Sequence, residues 1–347
     1  MLSNKIKKCG SLLLFFLFII SALSLPAAAA QSDNRPTLYV GGVPFGVRFV
    51  TEGVLVVGYC DVDCNGKTLN PAKTAGICPG DCICAVNGKT VETAADLAAE
   101  IAKNGQNGIE FSYIREGEER RTEMQPVACR KDGNLRVGLL VRDSGAGIGT
   151  VTFVTENNTF GGLGHGICDG DSGALIPLAR GNVMDVTIGG LTRGAAGAPG
   201  ELRGRFSGER IGTLTQNTPC GVFGCFTERP ELPTGKMPIA YKNEVHDGAV
   251  TLWCTLEDNV PHEYTAEISA IHREAQGNKC FTVHVTDRAL IEKTGGIIQG
   301  MSGSPIIQDG RLIGAVTHVL IGDPTTGYGI FIENMLANMA SPLQSAA

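Results

Sequence analysis

Beyond residue 25 the sequence lacks a hydrophobic run long enough to cross a membrane, and it has no excess of positive charge. A spanning helix needs about 20 consecutive apolar residues, so no second span is expected. Lysine and arginine number 29 against 35 acidic residues, and this net charge of -6 argues against nucleic acid as a partner. The remaining length fits two or three globular domains.

The first 30 residues have the layout of a secretory signal peptide. Three lysines precede an apolar run from Leu12 to Leu25, which is followed by Pro26 and four alanines. Ala28 and Ala30 are the small residues that signal peptidase requires, so we expect cleavage before Gln31. Cleavage removes three positive charges and no negative ones, which takes the net charge from -6 to -9. The alternative is an uncleaved anchor, and in both cases the rest of the chain lies outside the cytoplasm.

Of the twelve cysteines only Cys9 lies in this segment, which leaves eleven in a compartment where disulfides can form. An odd number leaves at least one cysteine unpaired. Five lie close together in the sequence: Cys60, Cys64, Cys78, Cys82 and Cys84. Zinc is an alternative use of such a cluster, but the spacing gives no two Cys-x-x-Cys pairs and no histidine is near, so we expect no metal site. Cys82 and Cys84 alternate on a predicted strand, where they share one face and could be bridged.

Residues 38–128 have the pattern of a small α+β domain. Thr93 can cap a helix over 94–103, where Leu97 and Ile101 recur at helical spacing. Residues 71–88, PAKTAGICPGDCICAVNG, nearly match a signature of bacterial PDZ domains, roughly P-A-x-x-A-G-φ-x-x-G-D-x-I-x-x-V-N-G. The segment resembles a PDZ domain, and the resemblance implies binding of a peptide or protein C-terminus by strand addition.

By its position in that family, the loop that would hold the peptide carboxylate through backbone N–H groups contains Phe45, Gly46 and Val47. The edge strand that receives the peptide would then begin at Arg48. The alternative is that the side chains of Phe45 and Val47 only fill the core of the domain.

Residues 135–347 follow a polar linker at 130–134 and consist of many short predicted strands. Gly, Pro and Asn separate these strands, and no helical stripe occurs before 333–339. About 200 residues of this kind suit a double β-barrel. The predicted fold class is therefore mainly β, with an N-terminal α+β PDZ domain followed by a trypsin-like double β-barrel.

The strongest local signal in this region is Gly300-Met-Ser-Gly-Ser-Pro305. It resembles the G-x-S-G-x-P nucleophile loop of trypsin-like proteases. In such a loop Ser302 presents its hydroxyl, and the N–H groups of Gly300 and Ser302 converge on the oxyanion of a tetrahedral intermediate. A similar tetrapeptide surrounds Ser172, but no proline and paired strands follow it, so we interpret Ser172 as a turn residue.

A nucleophilic serine needs a general base, which is most often histidine. His165 lies in a glycine-rich segment after a predicted strand, and it precedes the serine, as the base does in trypsin-like order. A lone histidine is often structural, and the sequence has five others. One of them, His318, lies sixteen residues after Ser302 and could line the cleft instead.

Four further stretches extend the resemblance over most of the chain. They are Val141–Thr150 (VRDSGAGIGT), Phe160–His165 (FGGLGH), Gln299–Val319 and Asp323–Gly329. With the PDZ-like segment they resemble the stage IV sporulation protein B family of endospore-forming bacteria, whose catalytic histidine lies in the G-H element. The resemblance implies a serine endopeptidase with Ser302 as nucleophile and His165 as general base.

The same family pattern places the acid that orients the histidine in a T-D pair about fifteen residues before the serine, which is Asp287 here. An acid so close to the serine departs from trypsin-like order, and Asp287 could equally be a strand-end or turn carboxylate. Asp169 and Asp171, shortly after His165, are the alternatives.

The resemblance further implies an exported, self-cleaving signalling protease that acts between the two membranes of the forespore and touches a membrane only through its N-terminal segment. Its protein substrate would be the regulatory partner of a membrane-embedded metalloprotease, whose activation leads to processing of a late sigma factor. No cofactor is expected for such chemistry. Two other functions stay open: an HtrA-type envelope protease, in which the catalytic domain precedes the PDZ domain, and a non-catalytic peptide-binding module. No acid lies at 296–299, so a requirement for Lys or Arg at the cleavage site is not expected.

Overall fold

The computed structural model describes residues 35–340 with the exception of Asp171 and Thr234. The predicted signal peptide, residues 1–30, lies outside the described residues. Within the part that is described, no helix is both long enough and apolar enough to span a membrane. Strands dominate this part, which contains twenty-two strands, four α-helices and one 3-10 turn.

The strands are β1 Thr37–Val40, β2 Pro44–Tyr59, β3 Val62–Cys64, β4 Lys67–Leu69, β5 Cys82–Val86, β6 Lys89–Thr90, β7 Ile109–Arg115, β8 Glu118–Met124, β9 Val127–Ala128, β10 Leu135–Arg136, β11 Leu139–Val154, β12 Thr159–Gly162, β13 Leu178–Thr192, β14 Glu201–Thr218, β15 Gly221–Phe226, β16 Lys236–Pro238, β17 Gly248–Cys254, β18 His262–Ser269, β19 Phe281–Val285, β20 Pro305–Gln308, β21 Arg311–Leu320 and β22 Asp323–Phe331. The helices are α1 Pro71–Thr74, α2 Ala94–Asn104, α3 Arg288–Thr294 and α4 Ile332–Ala340, and the 3-10 turn is Gly105–Asn107.

Six strands close the first barrel, in the order β2, β11, β12, β15, β14 and β13, with β13 pairing back to β2. Three phenylalanines fill much of its interior. The rings of Phe45 and Phe160 meet edge to face at 5.4 Å, and those of Phe160 and Phe226 stack at 4.5 Å. All three are buried because they face inward on strands whose alternate residues face outward.

The second barrel is closed by β17, β18, β19, β22, β21 and β20. Phe281 and Phe331 pack at 5.2 Å within its core. The predicted double β-barrel is therefore confirmed.

An α+β unit, residues 53–142, is inserted into the first barrel. The chain enters it along β2 and returns to the barrel along β11. Strands β5, β7 and β8 extend its sheet from β2, and helix α2 packs against it. The Thr93 hydroxyl accepts from the Asp96 N–H while the Asp96 carboxylate accepts from the Thr93 N–H, so this helix begins with a capping box, as Thr93 predicted. Leu97 and Ile101 are buried against the sheet at the predicted helical spacing.

Residues 38–51 belong to the first barrel and not to the inserted unit. Strand β1 pairs with β11 and β16, and the first half of β2 pairs with β11 on one edge and β13 on the other. The predicted start of the PDZ domain at residue 38 is therefore wrong, and the double barrel draws strands from both sides of the insertion. Strands of either domain would show the same alternation of buried and exposed residues, so the sequence pattern did not separate them.

The predicted carboxylate-binding loop is also corrected by the structure. Phe45, Gly46 and Val47 lie near the start of β2, which is paired there with β11 on one edge and, at Gly46 and Val47, with β13 on the other. Phe45 is 0% and Val47 is 2% exposed, so both side chains do fill a core, but it is the core of the barrel. A peptide cannot add to a strand without a free edge.

This correction makes a testable prediction for Gly46→Val. A Cβ at Gly46 would lie 2.1 Å from Cε1 of Phe206, so the bulkier side chain must displace that ring. Overpacking of this kind costs roughly 1–3 kcal/mol, and we expect a loss of that size in urea unfolding. The control is Gly147→Val on the neighbouring strand, where a Cβ meets nothing within 4 Å. Equal stabilities of the two variants would contradict the packing.

Candidate active site

The nucleophile loop joins helix α3 to strand β20 and approaches the first barrel closely. At Gly303, φ is +95°, and a Cβ there would lie 2.1 Å from the carbonyl oxygen of Thr150 and 2.5 Å from the nitrogen of Leu163. Any side chain at this position would collide with the backbone of the other barrel, on strand β11 and directly after strand β12. Glycine after Ser302 is therefore required for the two barrels to meet at the serine.

Strand β11 holds this loop with three hydrogen bonds. The Thr150 N–H donates to the carbonyl of Ser302 at 3.1 Å, and the Thr150 hydroxyl donates to the carbonyl of Gly300 at 2.8 Å. The Thr152 hydroxyl donates to the carbonyl of Gly303, also at 2.8 Å, and Thr152 is fully buried. A buried carbonyl that lost such a donor would cost about 1–3 kcal/mol, so the loop conformation is strongly fixed.

Two N–H groups of the loop stay without an acceptor among the described residues, and they are those of Gly300 and Ser302. Their neighbours are all bonded: the N–H groups of residues 299, 301, 303 and 304 each donate to a carbonyl. The carbonyl of Gln299 accepts from the Leu202 N–H, and in a trans peptide this turns the Gly300 N–H to the opposite side. The two free donors are those predicted to bind the oxyanion.

His165 follows strand β12 after a tight reversal in which Leu163 and Gly164 both have left-handed φ values, +64° and +66°. Its Nδ1 lies 2.8 Å from the carbonyl oxygen of Gly166. A carbonyl can only accept, so Nδ1 carries the proton and Nε2 keeps its lone pair for a base. Burial lowers the pKa of His165, which keeps the ring neutral.

Ser302 and His165 line one cavity of about 510 Å³, together with Gly300 and His318. The structure thus brings together the predicted nucleophile, base and oxyanion donors. The Ser302 hydroxyl donates to the carbonyl of Thr317 at 2.7 Å, so a rotation about its Cα–Cβ bond is needed before its proton can pass to His165.

His318 also lines this cavity, as one interpretation of its sequence position suggested. Its ring centroid is 4.7 Å from that of His165. Burial and the neighbouring His165 lower the pKa of His318 to about 4, so both rings are neutral near pH 7. The motif around Ser302 carried no signal for this ring contact, because the two histidines come from different barrels.

The orienting role predicted for Asp287 does not agree with its place in the structure. Asp287 is the N-cap of helix α3, and its carboxylate accepts from the Leu290 N–H at 2.9 Å. It lines a separate cavity of about 300 Å³ with Tyr264 and His262. Among the described residues that line the Ser302 cavity, none carries a carboxylate. The alternative interpretation of Asp287, a carboxylate at the end of a strand or turn, fits this position.

Of the two alternative acids, Asp169 is held by other partners. Asp169 is 1% exposed, and its carboxylate binds Arg142 and Ser172. Asp171 lies outside the described residues. Ser172 lies in a turn, where its N–H and its hydroxyl both donate to Oδ1 of Asp169, at 2.9 and 3.0 Å. These bonds make it a turn residue, as its sequence context suggested.

The eleven cysteines after Cys9 are free thiols in the structure, including Cys82 and Cys84. In the described part of the chain, no three or more His, Cys, Asp or Glu side chains are placed to hold a metal ion. Burial raises the pKa of Cys254 to about 12, so this thiol stays protonated.

The capping role of Asp287 predicts different effects for two substitutions. Asp287→Ala removes the cap and should lower the free energy of unfolding by about 1 kcal/mol, whereas Asp287→Asn keeps a good cap and should restore it. With no carboxylate contact to His165, we expect kcat/KM of the Asn variant to stay within about threefold of the wild type. A loss near 10⁴-fold at unchanged stability, which removal of an orienting acid produces, would contradict this assignment.

The burial of His165 predicts a low acid limit for peptide hydrolysis. The base must be neutral, and a pKa below the ordinary value of 6.5 keeps it neutral at lower pH. As the pH is lowered, we therefore expect kcat/KM to fall, with a midpoint below pH 6.5. His318→Ala exposes one face of the ring, and the midpoint should rise towards 6.5. A wild-type midpoint above 6.5 would indicate a carboxylate partner instead.

Similar solved structures include two proteases and a heparin binding protein. The Rv3671c protease from M. tuberculosis in its active form is 16% identical over 57% of this chain and 76% of that chain, with a TM-score of 0.33. The HtrA-type protease AlgW with a decapeptide is 13% identical over 65% of this chain and 54% of that chain, with a TM-score of 0.33. Human heparin binding protein is 10% identical over 57% and 86% of the two chains, with a TM-score of 0.30. The chain thus spans about half the length of the HtrA-type match.

Two family models match the sequence. The model of a PDZ domain matches residues 70–107, within the inserted unit. The model described as SpoIVB peptidase S55 matches residues 133–336, which is more than half of the chain and includes both Ser302 and His165. The predicted PDZ domain and the predicted serine endopeptidase are thereby confirmed, and the chain belongs to the SpoIVB peptidase S55 family.

Proposed function

We propose that this serine endopeptidase is an exported sporulation signal that acts in the space between the two membranes of the forespore. It cleaves itself and the regulatory partner of a membrane-embedded metalloprotease, which triggers processing of a late sigma factor. Membership of the SpoIVB peptidase family and the signal-like layout of residues 1–30 support this role. The observation that carries the catalytic part is the pair of free N–H groups beside Ser302, in the cavity that His165 lines.

Catalysis begins when the Ser302 hydroxyl breaks its hydrogen bond to the carbonyl of Thr317 and rotates towards His165. Nε2 of His165 then accepts the serine proton while the oxygen attacks the carbonyl carbon of the substrate. The bond from Nδ1–H to the Gly166 carbonyl keeps the ring in the required tautomer. A backbone carbonyl thus takes the place at the ring where a triad has an acid, although without a full negative charge it stabilises the imidazolium less.

The negative charge that develops on the substrate oxygen meets the N–H groups of Gly300 and Ser302. Because β11 and β14 already fix the loop, these donors need no reorganisation during the reaction, which is the source of their catalytic value. The protonated His165 gives its proton to the leaving amine, and water then releases the acyl-enzyme. Loss of one such donor costs about 10²–10³ in kcat in a related mechanism.

The cavity favours substrates with an uncharged side chain at the cleavage site. Its lining beside Ser302 includes Ile297, Ile298, Val319 and Ile321. A Lys or Arg side chain would lose its hydration there without gaining a carboxylate partner, which is unfavourable. Apolar or small polar side chains avoid this cost.

The proposal is tested by mass spectrometry of the purified full-length chain incubated alone and with the candidate partner. Wild type should show discrete self-cleavage products and cleave the partner, and Ser302→Ala should show neither. His165→Ala should lose about as much activity as Ser302→Ala, because members of one catalytic unit are not additive.

The matched control is Ser172→Ala, which removes a serine hydroxyl from a turn outside the catalytic loop. It should keep most of the activity, with circular dichroism confirming the fold of every variant. An inactive but folded Ser172→Ala protein would overturn the choice of nucleophile. Self-cleavage without cleavage of the partner would retain the enzyme and reject the proposed substrate.

A further inference from the structure

The peptide unit between Gly166 and Ile167 lies next to the general base and is hydrogen-bonded on both sides. Its carbonyl oxygen accepts from Nδ1 of His165 at 2.8 Å. Its N–H, which belongs to Ile167, donates to Oδ1 of Asn217, also at 2.8 Å. The carbonyl and the N–H of a trans peptide point in opposite directions, so His165 and Asn217 are linked across this single unit.

Asn217 makes two further hydrogen bonds to the segment that follows the base. Its Nδ2 donates to the carbonyl of Ile167 and to that of Ile176, both at 2.9 Å. The three bonds fix which way the side-chain amide is turned, because a flipped amide would place its NH2 group against the Ile167 N–H and its oxygen against two carbonyls. The amide therefore matches both backbone polar groups of Ile167 and closes the loop after His165.

Strand β14 holds Asn217 independently of this loop. Asn217 lies opposite Val222 of β15, in the pairing that helps to close the first barrel. The next residue, Thr218, approaches the loop so closely that a Cβ at Gly166 would lie 2.7 Å from its carbonyl oxygen. The peptide unit that contacts the base is thus supported from a strand of the barrel, which positions a group more precisely than a loop does.

The tautomer of His165 depends on this support. A neutral imidazole exists in two tautomers, and the hydrogen bond made by one nitrogen decides which of them is present. No carboxylate among the described lining of the Ser302 cavity sets it, so the deciding partner is the Gly166 carbonyl. Asn217 also follows His165 and precedes Ser302 in the chain, which is the place of the acid in the chymotrypsin order of base, acid and nucleophile.

We propose that Asn217 is a positioning residue for the general base. It keeps the Gly166 carbonyl turned towards Nδ1 of His165, and this holds the ring in the tautomer whose Nε2 can accept the serine proton. An acceptor bound to the N–H of a peptide also polarises its carbonyl, so Asn217 strengthens the bond to the ring as positive charge develops there. The inference rests on His165 as the base of the proposed mechanism, and Asn217 acts on it through the peptide unit.

The first test reads the His165 tautomer by NMR of full-length Ser302→Ala protein with nitrogen-15 in its histidines, so that no catalysis is needed. The signals of His165 are assigned by their loss in His165→Ala. We expect the Nδ1–H tautomer in the parent protein and in Asn217→Asp, whose carboxylate can still accept from the Ile167 N–H. Asn217→Ala removes that acceptor, and the Nε2–H form should appear. The matched control is Thr215→Val on the same strand, which removes a hydroxyl bonded to the Phe223 carbonyl and should leave the tautomer unchanged.

The second test measures how fast Ser302 reacts with a fluorophosphonate in the otherwise native chain. The serine oxygen bonds to phosphorus and fluoride leaves, while His165 takes the serine proton, so the rate reports the base without a protein substrate. Asn217→Ala should slow this reaction by about 10²-fold, the cost of a misplacement of about 1 Å. Thr215→Val should leave the rate nearly unchanged.

An unchanged tautomer or an unchanged rate in a folded Asn217→Ala protein would reject the proposal, as would equal effects of Thr215→Val. Loss of the Nδ1–H tautomer in Asn217→Asp would also reject it, because Asn217 would then only close the loop through its donated bonds. The Asp variant therefore decides the question even where the Ala variant does not fold. Since neither measurement uses the protein partner, failure to cleave that partner would leave this assignment standing.

Discussion

The hydrogen bonds between strand β11 and the nucleophile loop are the contact on which the rest of the site depends. Thr150 and Thr152 belong to the first barrel, and the three carbonyls that they bind belong to a loop of the second. The two barrels are therefore joined at the residues that flank Ser302. The N–H groups of Gly300 and Ser302 are free, whereas the N–H groups of residues 299, 301, 303 and 304 in the same loop each already donate to a carbonyl.

The chemistry at this junction depends on burial more than on charge. The Ser302 cavity holds two neutral imidazole rings and no carboxylate among its described lining. Desolvation lowers the pKa of His165, and a backbone carbonyl sets its tautomer. The basicity of His165 therefore depends on its surroundings, and residues that cover its ring, such as His318, affect it.

Strand β11 also connects the inserted unit to the active site. Its first residues lie in the inserted unit, and its later residues hold the nucleophile loop, all within one strand, Leu139–Val154. Residues 139–150 of this strand pair with β2, from Leu139 opposite Tyr59 to Thr150 opposite Pro44. The inserted unit and the first barrel consequently share strands β2 and β11 and do not meet only through a flexible linker. The predicted domain boundaries at 38 and 135 assigned these two paired strands to different domains.

The sequence by itself determined the features that depend on neighbouring residues. The nucleophile motif is contiguous in the sequence, and the Thr93–Asp96 capping box and the alternation that predicts strands involve residues a few positions apart. Only the tertiary structure decided which strands β2 would join and which group would orient His165. Ser144 pairs with Val50 across about 90 residues, and an inward-facing side chain such as Phe45 fits any core with a similar alternation. Asp287 follows a strand and precedes a helix, a position that suits both a catalytic acid and a cap, and only its distance in space from the Ser302 cavity separates the two roles.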